Sequence, residues 1–503
     1  MVATATALGV SELLAGILPG ATSLVAAVGQ VVVDLQPPGA KDVVVGLFGT
    51  NDKLALELFI VALALLLGAL LGIVARRRYE VAAGVFIAFG VVGVLAALGD
   101  PLVSPAVAAV AAAISIGAGL LVLGALLDRS RPAPARPSDT NAQVAEMPDW
   151  SRRSFIIRAS AIGVGAMAVG VVGRNLLERQ RTAPVGDGPA VPPASTTVPG
   201  FGSDADLSST IPGLTPIIMP NDRFYRIDTS LLTPIVDTAS WSLRIHGLVD
   251  RETTLTWPQL IALPVFEQYV TIACVSNEVG GKLVGNAKWT GVRLRDVLGI
   301  AGVRPAATQL VGRSIDGWTA GMPTAWVMDP AREPMIALKM NDAPLPPIHG
   351  FPARLIVPGL YGYVSATKWL KELELTTLEA FDGYWVPLGW AKEAPILTQS
   401  RIDTPHGGVA PGQVAIAGVA WAPDRGISRV EVAVDGVWRD ARLSTPLADS
   451  TWVQWVTDWG ATAGPHVLMV RATDGTGAVQ TELPSPPAPD GARGYHTISV
   501  QVG

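Results

Sequence analysis

Cys274 is the only cysteine in 503 residues, and it stands in the run VTIACVSNEVGG at 270–281. A lone cysteine is a small buried hydrophobe, a nucleophile or a metal ligand. Downstream, HGFPAR carries His349 and Arg354, and YVSATKWL carries Ser365, Thr367 and Lys368. Upstream, NDRFYRID places Asn221, Tyr225 and Arg226 in one short stretch. These residue types differ in what they can hold. Arg grips a phosphate bidentately, Lys meets it as a point charge, and His and Ser add hydrogen bonds. Each residue also has a plainer reading: core packing for Cys274, loop structure for His349, a surface ion pair for Arg354. A single cysteine excludes an internal disulfide, a Cys-cluster zinc site and a Cys-ligated iron–sulfur centre.

The elements that would position these residues follow a long apolar region. The chain is 49% hydrophobic and 16% charged, too apolar for a wholly soluble protein, and the excess lies in residues 1–128. Segments 54–75, 81–99 and 105–127 are long enough to cross a bilayer as helices. A shorter apolar stretch at about 5–18 is followed by Pro19 and Gly20 and then by a segment expected near the interface. Paired Arg152 and Arg153 precede the apolar run 155–173. That pair reads as a twin-arginine translocation signal or as the positive flank of a further span. Arg76, Arg77, Arg78, Arg129, Arg131 and Arg136 mark cytoplasmic loops. Everything after about 175 is then expected outside the cytoplasmic membrane, with lipid as the first partner.

Net charge is −5 with no long basic run, so nucleic acid is not an expected partner. His246, His349, His406, His466 and His496 all lie outside the apolar spans. No haem is therefore expected in this chain, and electrons would pass through a separate partner, a cytochrome or a quinone-linked protein.

Residues 129–180 read as a cytoplasmic loop and last span, and 181–216, rich in Pro, Gly, Ser and Thr, as a flexible or PPII-like tether. Residues 217–398 mix short strand-like runs with fewer helical ones, an α+β domain. Residues 399–503 alternate at period two, a small β-sandwich. VDGVW carries an Asp-Gly hairpin turn.

The run NDAPLPPIHGFPARLIVPGLYGYVSATKWLKELEL at 341–375 resembles the sulfite oxidase superfamily of molybdopterin enzymes. Its Asn-x-x-Pro-Leu-Pro, His-Gly-x-Pro-x-Arg, Val-x-Pro-Gly and Lys-Trp-Leu offsets match the family's pattern, and NDRFYRID is similar to its entry motif. The resemblance covers about 217–503 and is closest to membrane-anchored actinobacterial members. It implies a molybdenum–molybdopterin cofactor with Cys274 as the metal's protein ligand, about 75 residues before the His-Gly pair. It implies cofactor binding by Asn221, Tyr225, Arg226, Ser314, His349, Arg354, Ser365, Thr367 and Lys368. Tyr384 falls near the family's active-site tyrosine. The last domain resembles the family's immunoglobulin-like module, so a homodimer is an expected partner.

One position departs from the family. Sulfite oxidases carry a basic residue shortly after the cysteine, and here Glu278 stands near its place. Like charges ~5 Å apart repel by about 1–3 kcal/mol at an effective dielectric near 20. The expected activity is oxygen-atom transfer on a small sulfoxide- or sulfite-like substrate. The alternatives are a non-catalytic assembly subunit that keeps the molybdopterin fold, and a transporter with an exported receptor domain.

Overall fold

The structure, a computed structural model, describes residues 1–37, 44, 47–48, 51–100, 103–128, 149–182 and 190–503. The chain divides into two compact units, one of 1–183 with 229–235 and one of 184–228 with 236–503. The loop 129–148, with Arg129, Arg131 and Arg136, lies outside the described residues, as does the side chain of Arg152.

The first unit is helical. Its elements are α1 (Val2–Ile17), α2 (Leu24–Asp34), α3 (Asp52–Ala75), α4 (Tyr79–Ala97), α5 (Pro105–Asp128) and α6 (Asp149–Thr182). Among the described residues, four helices are long and apolar enough to cross a membrane: α3, α4, α5 and Arg153–Arg181 within α6. They match the expected spans. The stretch expected at 5–18 forms α1, whose 16 residues reach roughly 24 Å, short of a ~30 Å hydrocarbon core. Ser23 starts α2 by accepting the Ala26 N–H at 3.1 Å. Thr229–Ile235 also belong here: Lys53 Nζ donates to the Ser230 carbonyl at 2.7 Å, and the Leu231 N–H donates to Gln30 at 3.2 Å.

In the second unit, β1 (Ser242–Gly247), β2 (Thr253–Thr256), β5 (Gln309–Ser314), β6 (Thr319–Pro323) and β10 (Leu370–Thr376) form a sheet in the order β2-β1-β10-β5-β6. A second sheet runs β3 (Val265–Ala273), β4 (Val284–Arg293), β7 (Met335–Met340) and β8 (Ala343–Pro344), with β9 (Arg354–Ile356) paired to β7. Strand β10 reads LKELELT, and its Leu370, Leu373 and Leu375 are buried. Leu373 lies between Ile245 on β1 and Gly312 on β5. The helix Leu294–Ala301 buries Leu294, Val297, Leu298 and Ala301, the i, i+3, i+4, i+7 face.

Residues 399–503 fold into two further sheets. One contains Gln399–Thr404, Gly412–Trp421, Arg442–Leu443 and Val453–Ala461; the other contains Gly408–Val409, Ile427–Val434, Val437–Asp440, Gly464–Asp474 and His496–Val502. Ile416, Val432, Trp455 and Val470 share one buried core between them. The turn at Asp435–Gly436 has φ of 52° and 83°, as the Asp-Gly hairpin signal requires.

Of the two readings of the tether, the flexible one is corrected. From 190 onward it lies along the second unit: the Ser195 N–H donates to the Val265 carbonyl at 2.8 Å, and the Glu267 N–H donates to Thr196 at 2.9 Å. Strand β3 is a sheet edge, and its outward backbone groups need partners. A Pro- and Thr-rich segment is well suited to lie extended against them.

Leu373→Ala should cost the second unit about 2–5 kcal/mol, since its side chain is fully buried. A fall in denaturation midpoint at unchanged slope is the expected result.

Candidate active site

Strand β3 delivers Cys274 to its end, and the antiparallel pair Ala273–Val284 closes the connection to β4. The Cys274 N–H donates to the Leu283 carbonyl at 2.9 Å, while Asn277 Oδ1 accepts the Leu283 N–H at 2.7 Å. These bonds pin the loop at its base. Cys274 is buried and in no disulfide.

The polar residues of the downstream run gather around a second centre. Pro347–His349 form a 3-10 turn and Gly350 follows with φ 112°. A Cβ at Gly350 would stand 3.0 Å from the Lys368 Cα, so only glycine lets these two segments meet. His349 is 1% exposed, and its Nε2 lies 2.9 Å from the Asn221 carbonyl. A carbonyl can only accept, so this nitrogen carries the proton. Asn221 is itself braced by Asn341 Nδ2 at 2.8 Å.

Arg354 is buried; one guanidinium nitrogen donates to the His349 carbonyl at 3.1 Å, and the group lies 5.2 Å from the Trp289 ring centre. Its Nε has no hydrogen-bond partner, and neither does Thr367 Oγ1. Lys368 Nζ donates to Asp228 Oδ2 at 2.9 Å and to the Ile348 carbonyl at 3.0 Å. Arg226 Nε donates to the same Asp228 oxygen at 3.0 Å.

The electrostatics share one direction. Burial, then Lys368, pushes the His349 imidazole down to about 3, although its bond to Asn221 opposes the shift. Burial pulls Lys368 down to about 8 against the attraction of Asp228, with Arg354 and Arg226 adding to the fall. Burial lowers Arg354 to about 10. Burial also raises the nearby Asp316 carboxyl, despite a hydrogen bond from Ser314. The cradle therefore gathers three cations, buried Arg354 and Lys368 and exposed Arg226, against the carboxylates of Asp228 and Asp316, and it has orphaned donors at Arg354 and Thr367. A multiply charged anion would satisfy both.

Tyr225, which stacks on Phe224 at 5.3 Å, feels both Cys274 and Arg354. The Tyr225 hydroxyl is raised by burial and then by Cys274, and lowered by Arg354. Tyr361 is pushed up to about 12, first by burial; the Leu397 N–H opposes and Cys274 adds to the rise. Among the described residues, no group of three or more His, Cys, Asp or Glu could hold a bare metal ion. A metal at Cys274 must therefore arrive with other ligands, as a sulfur-bearing organic cofactor provides. The donor set fits molybdenum–molybdopterin: a thiol at one end and unpaired phosphate-type donors at the other.

One expectation changes. Ser365 Oγ donates to the Leu360 and Tyr361 carbonyls at 3.2 and 3.0 Å. It can offer a ligand only lone pairs, which a phosphate anion cannot use. Tyr384 packs edge-on against Trp385 at 5.0 Å, and its N–H donates to the Thr319 carbonyl at 3.2 Å. Tyr225 and Tyr361 both feel the charge of Cys274. Ser314 acts on Asp316, and Glu278 is exposed. Sequence reasoning missed Asp228, two residues past Arg226, and Tyr361, inside the quoted run. A buried Lys needing a counterion was the available signal for Asp228.

The family model of the oxidoreductase molybdopterin binding domain matches residues 230–385. Rat mitochondrial sulfite oxidase is 32% identical over 272 residues, covering 45% of this chain and 49% of its own length. The uncharacterized oxidoreductase YuiH of Bacillus subtilis is 34% identical over 154 residues, covering 31% of this chain and 74% of its own. The chain spans about half the length of the rat enzyme. The sulfane dehydrogenase SoxCD structure from Paracoccus pantotrophus covers 57% of this chain and 82% of its own, with a TM-score of 0.50 and 24% identity, a likeness of fold.

Between pH 6.5 and about 3 the unfolded chain protonates His349 and the cofactor-free folded chain does not. Stability should therefore fall as pH falls through that window. His349→Gln should reduce this slope by up to about 1.4 kcal/mol per pH unit, read from urea denaturation across pH 3–7.

Proposed function

The chain belongs to the sulfite oxidase superfamily of molybdopterin-dependent oxidoreductases, and from that membership we propose that it is a membrane-anchored enzyme of oxygen-atom transfer. Its substrate is a small sulfoxide- or sulfite-like molecule. The observation that carries this reading is the buried cation cradle with an unpaired Arg354 Nε, together with the buried lone cysteine, Cys274, whose charge Tyr225 feels alongside that of Arg354.

When bound, the molybdenum–molybdopterin cofactor supplies two-electron oxygen-atom chemistry. Cys274 is the protein's thiolate ligand to the metal. Arg354, Lys368 and Thr367 take the phosphate, and the Asn221–His349 pair orients the cradle with a neutral imidazole. Tyr225 and Tyr361 keep their phenolic protons at neutral pH, because burial and Cys274 raise both. They act, together with Tyr384, as hydrogen-bond donors toward a substrate oxygen. The exposure of Glu278 leaves its charge screened by water, so an anionic substrate stays within the class.

The four long apolar helices serve as a multi-pass anchor in the cytoplasmic membrane. The Arg-rich flanks at 76–78 support a catalytic unit on the extracytoplasmic side. Electrons pass to or from a separate protein. Residues 399–503 are an immunoglobulin-like module suited to a homodimer.

Metal analysis of the detergent-purified protein tests this reading. Wild type should carry one molybdenum per chain and Cys274→Ser little. Arg354→Met should lower cofactor retention by roughly 10–100-fold, the worth of a charge-assisted bond of about 1.5–3 kcal/mol. Full molybdenum in Cys274→Ser would refute the ligand role.

A further inference from the structure

The loop that begins at Cys274 has a second anchor, and it comes from residues 399–503. Arg401, in the strand Gln399–Thr404, is 6% exposed. Its NH1 donates to the Gly281 carbonyl at 2.7 Å. The rest of its guanidinium is fixed from behind: Nε donates to Asp403 Oδ1 at 2.6 Å, and NH2 to Thr215 Oγ1 at 2.9 Å. Asp403 Oδ2 in turn accepts the Thr215 N–H at 3.1 Å. The group that holds Gly281 thus has no freedom to swing away.

The neighbouring residue supports the same contact. The Ile402 N–H donates to His496 Nδ1 at 2.9 Å, and a Cβ at Gly280 would collide with the His496 ring. Gly280, at φ 77°, permits this approach. The strand behind the loop is held from the same direction: the Thr271 N–H donates to the Ser450 carbonyl at 2.9 Å, and the Trp452 N–H to Thr271 Oγ1 at 2.8 Å.

We propose that Arg401 is a positioning residue for the Cys274 thiol, acting through the Gly281 carbonyl and the loop that closes on Leu283. The proposal rests on the reading of Cys274 as the cofactor's protein ligand. In this arrangement the C-terminal sheets complete the active site without touching substrate. Gly281 lies between two restraints, the Gly281 N–H to Glu278 bond at 2.8 Å and the Arg401 bond to its carbonyl. Loss of the second leaves the Gly281 peptide held only by its own bond to Glu278.

Cys274 is the only thiol in the chain, so alkylation reads this loop directly. The test uses the full-length protein in detergent, produced without molybdate, and iodoacetamide labelling followed by mass spectrometry. Arg401→Gln should raise the labelling rate by about tenfold or more, the effect of losing one charge-assisted bond on a loop-opening equilibrium. Arg401→Lys, which keeps a charge beside Asp403, should fall between the two. Arg425→Gln is the control. It loses bonds to Asp474 and to the Ile396 carbonyl without touching the loop, and should lower the melting temperature with labelling unchanged. Labelling of Arg401→Gln no faster than that of Arg425→Gln would overturn the proposal. If Arg401→Gln does not fold, the same comparison is decided by Arg401→Lys. Retained molybdenum in Cys274→Ser would overturn the ligand reading alone and leave the labelling result standing.

Discussion

Lys368 and Arg226 share one carboxylate oxygen of Asp228, while Arg354 has a carbonyl, a ring face and an unpaired Nε. Burying cations on these terms is costly, and the fall of Lys368 to about 8 and of Arg354 to about 10 records the cost. The surrounding elements exist in forms that keep these cations in place despite it. Gly350 lets the His349 turn touch the Lys368 backbone. Trp369 Nε1 donates to the Pro347 carbonyl at 2.8 Å, tying the two segments again. A fold held open in this way around these cations is preorganised for an anion, because the donors need not move when it arrives.

The thiol end is built on a different principle. There the issue is backbone hydrogen bonding. Strand β3 is the edge of its sheet, and a bare edge leaves N–H and C=O groups without partners. The segment around Ser195 and Thr196 covers one stretch of that edge and the segment 450–452 another. The same strand ends at Cys274, so each bond that satisfies the edge also fixes the direction in which the thiol leaves the sheet. Sheet stability and ligand placement are one constraint here.

Legibility in the sequence followed the range of the interactions. His349, Arg354 and Lys368 stand at short fixed offsets, and the structure puts them in one cradle. The apolar runs of α3, α4 and α5 announced themselves by length alone. Asp228 was hidden because its partner Lys368 is 140 positions away, and no local pattern marks such a pair. The path of residues 190–216 was not legible because composition describes a chain's own preferences. A Pro-rich segment has few of them, and the unpaired edge of β3 decided its path. Tyr384 drew notice through its neighbours FDGYWVP, whereas the effect of Tyr361 depends on where the β3 strand ends.

The two hydroxyls at 365 and 367 show why residue type alone cannot assign a ligand contact. Both are buried, both belong to the same loop, and both could donate one proton. Ser365 sits in the turn Gly362–Ser365, where carbonyls four and five residues back are within reach, so its proton is used there. Thr367 lies just past the turn, where that geometry has ended, and its Oγ1 is unpartnered. An unpaired buried hydroxyl costs about 1–3 kcal/mol and persists where another group satisfies it. With Arg354 Nε in the same condition, the cradle's orphaned atoms are donors. That polarity argues for an acceptor-only guest such as a phosphate and against a neutral amide or a cation.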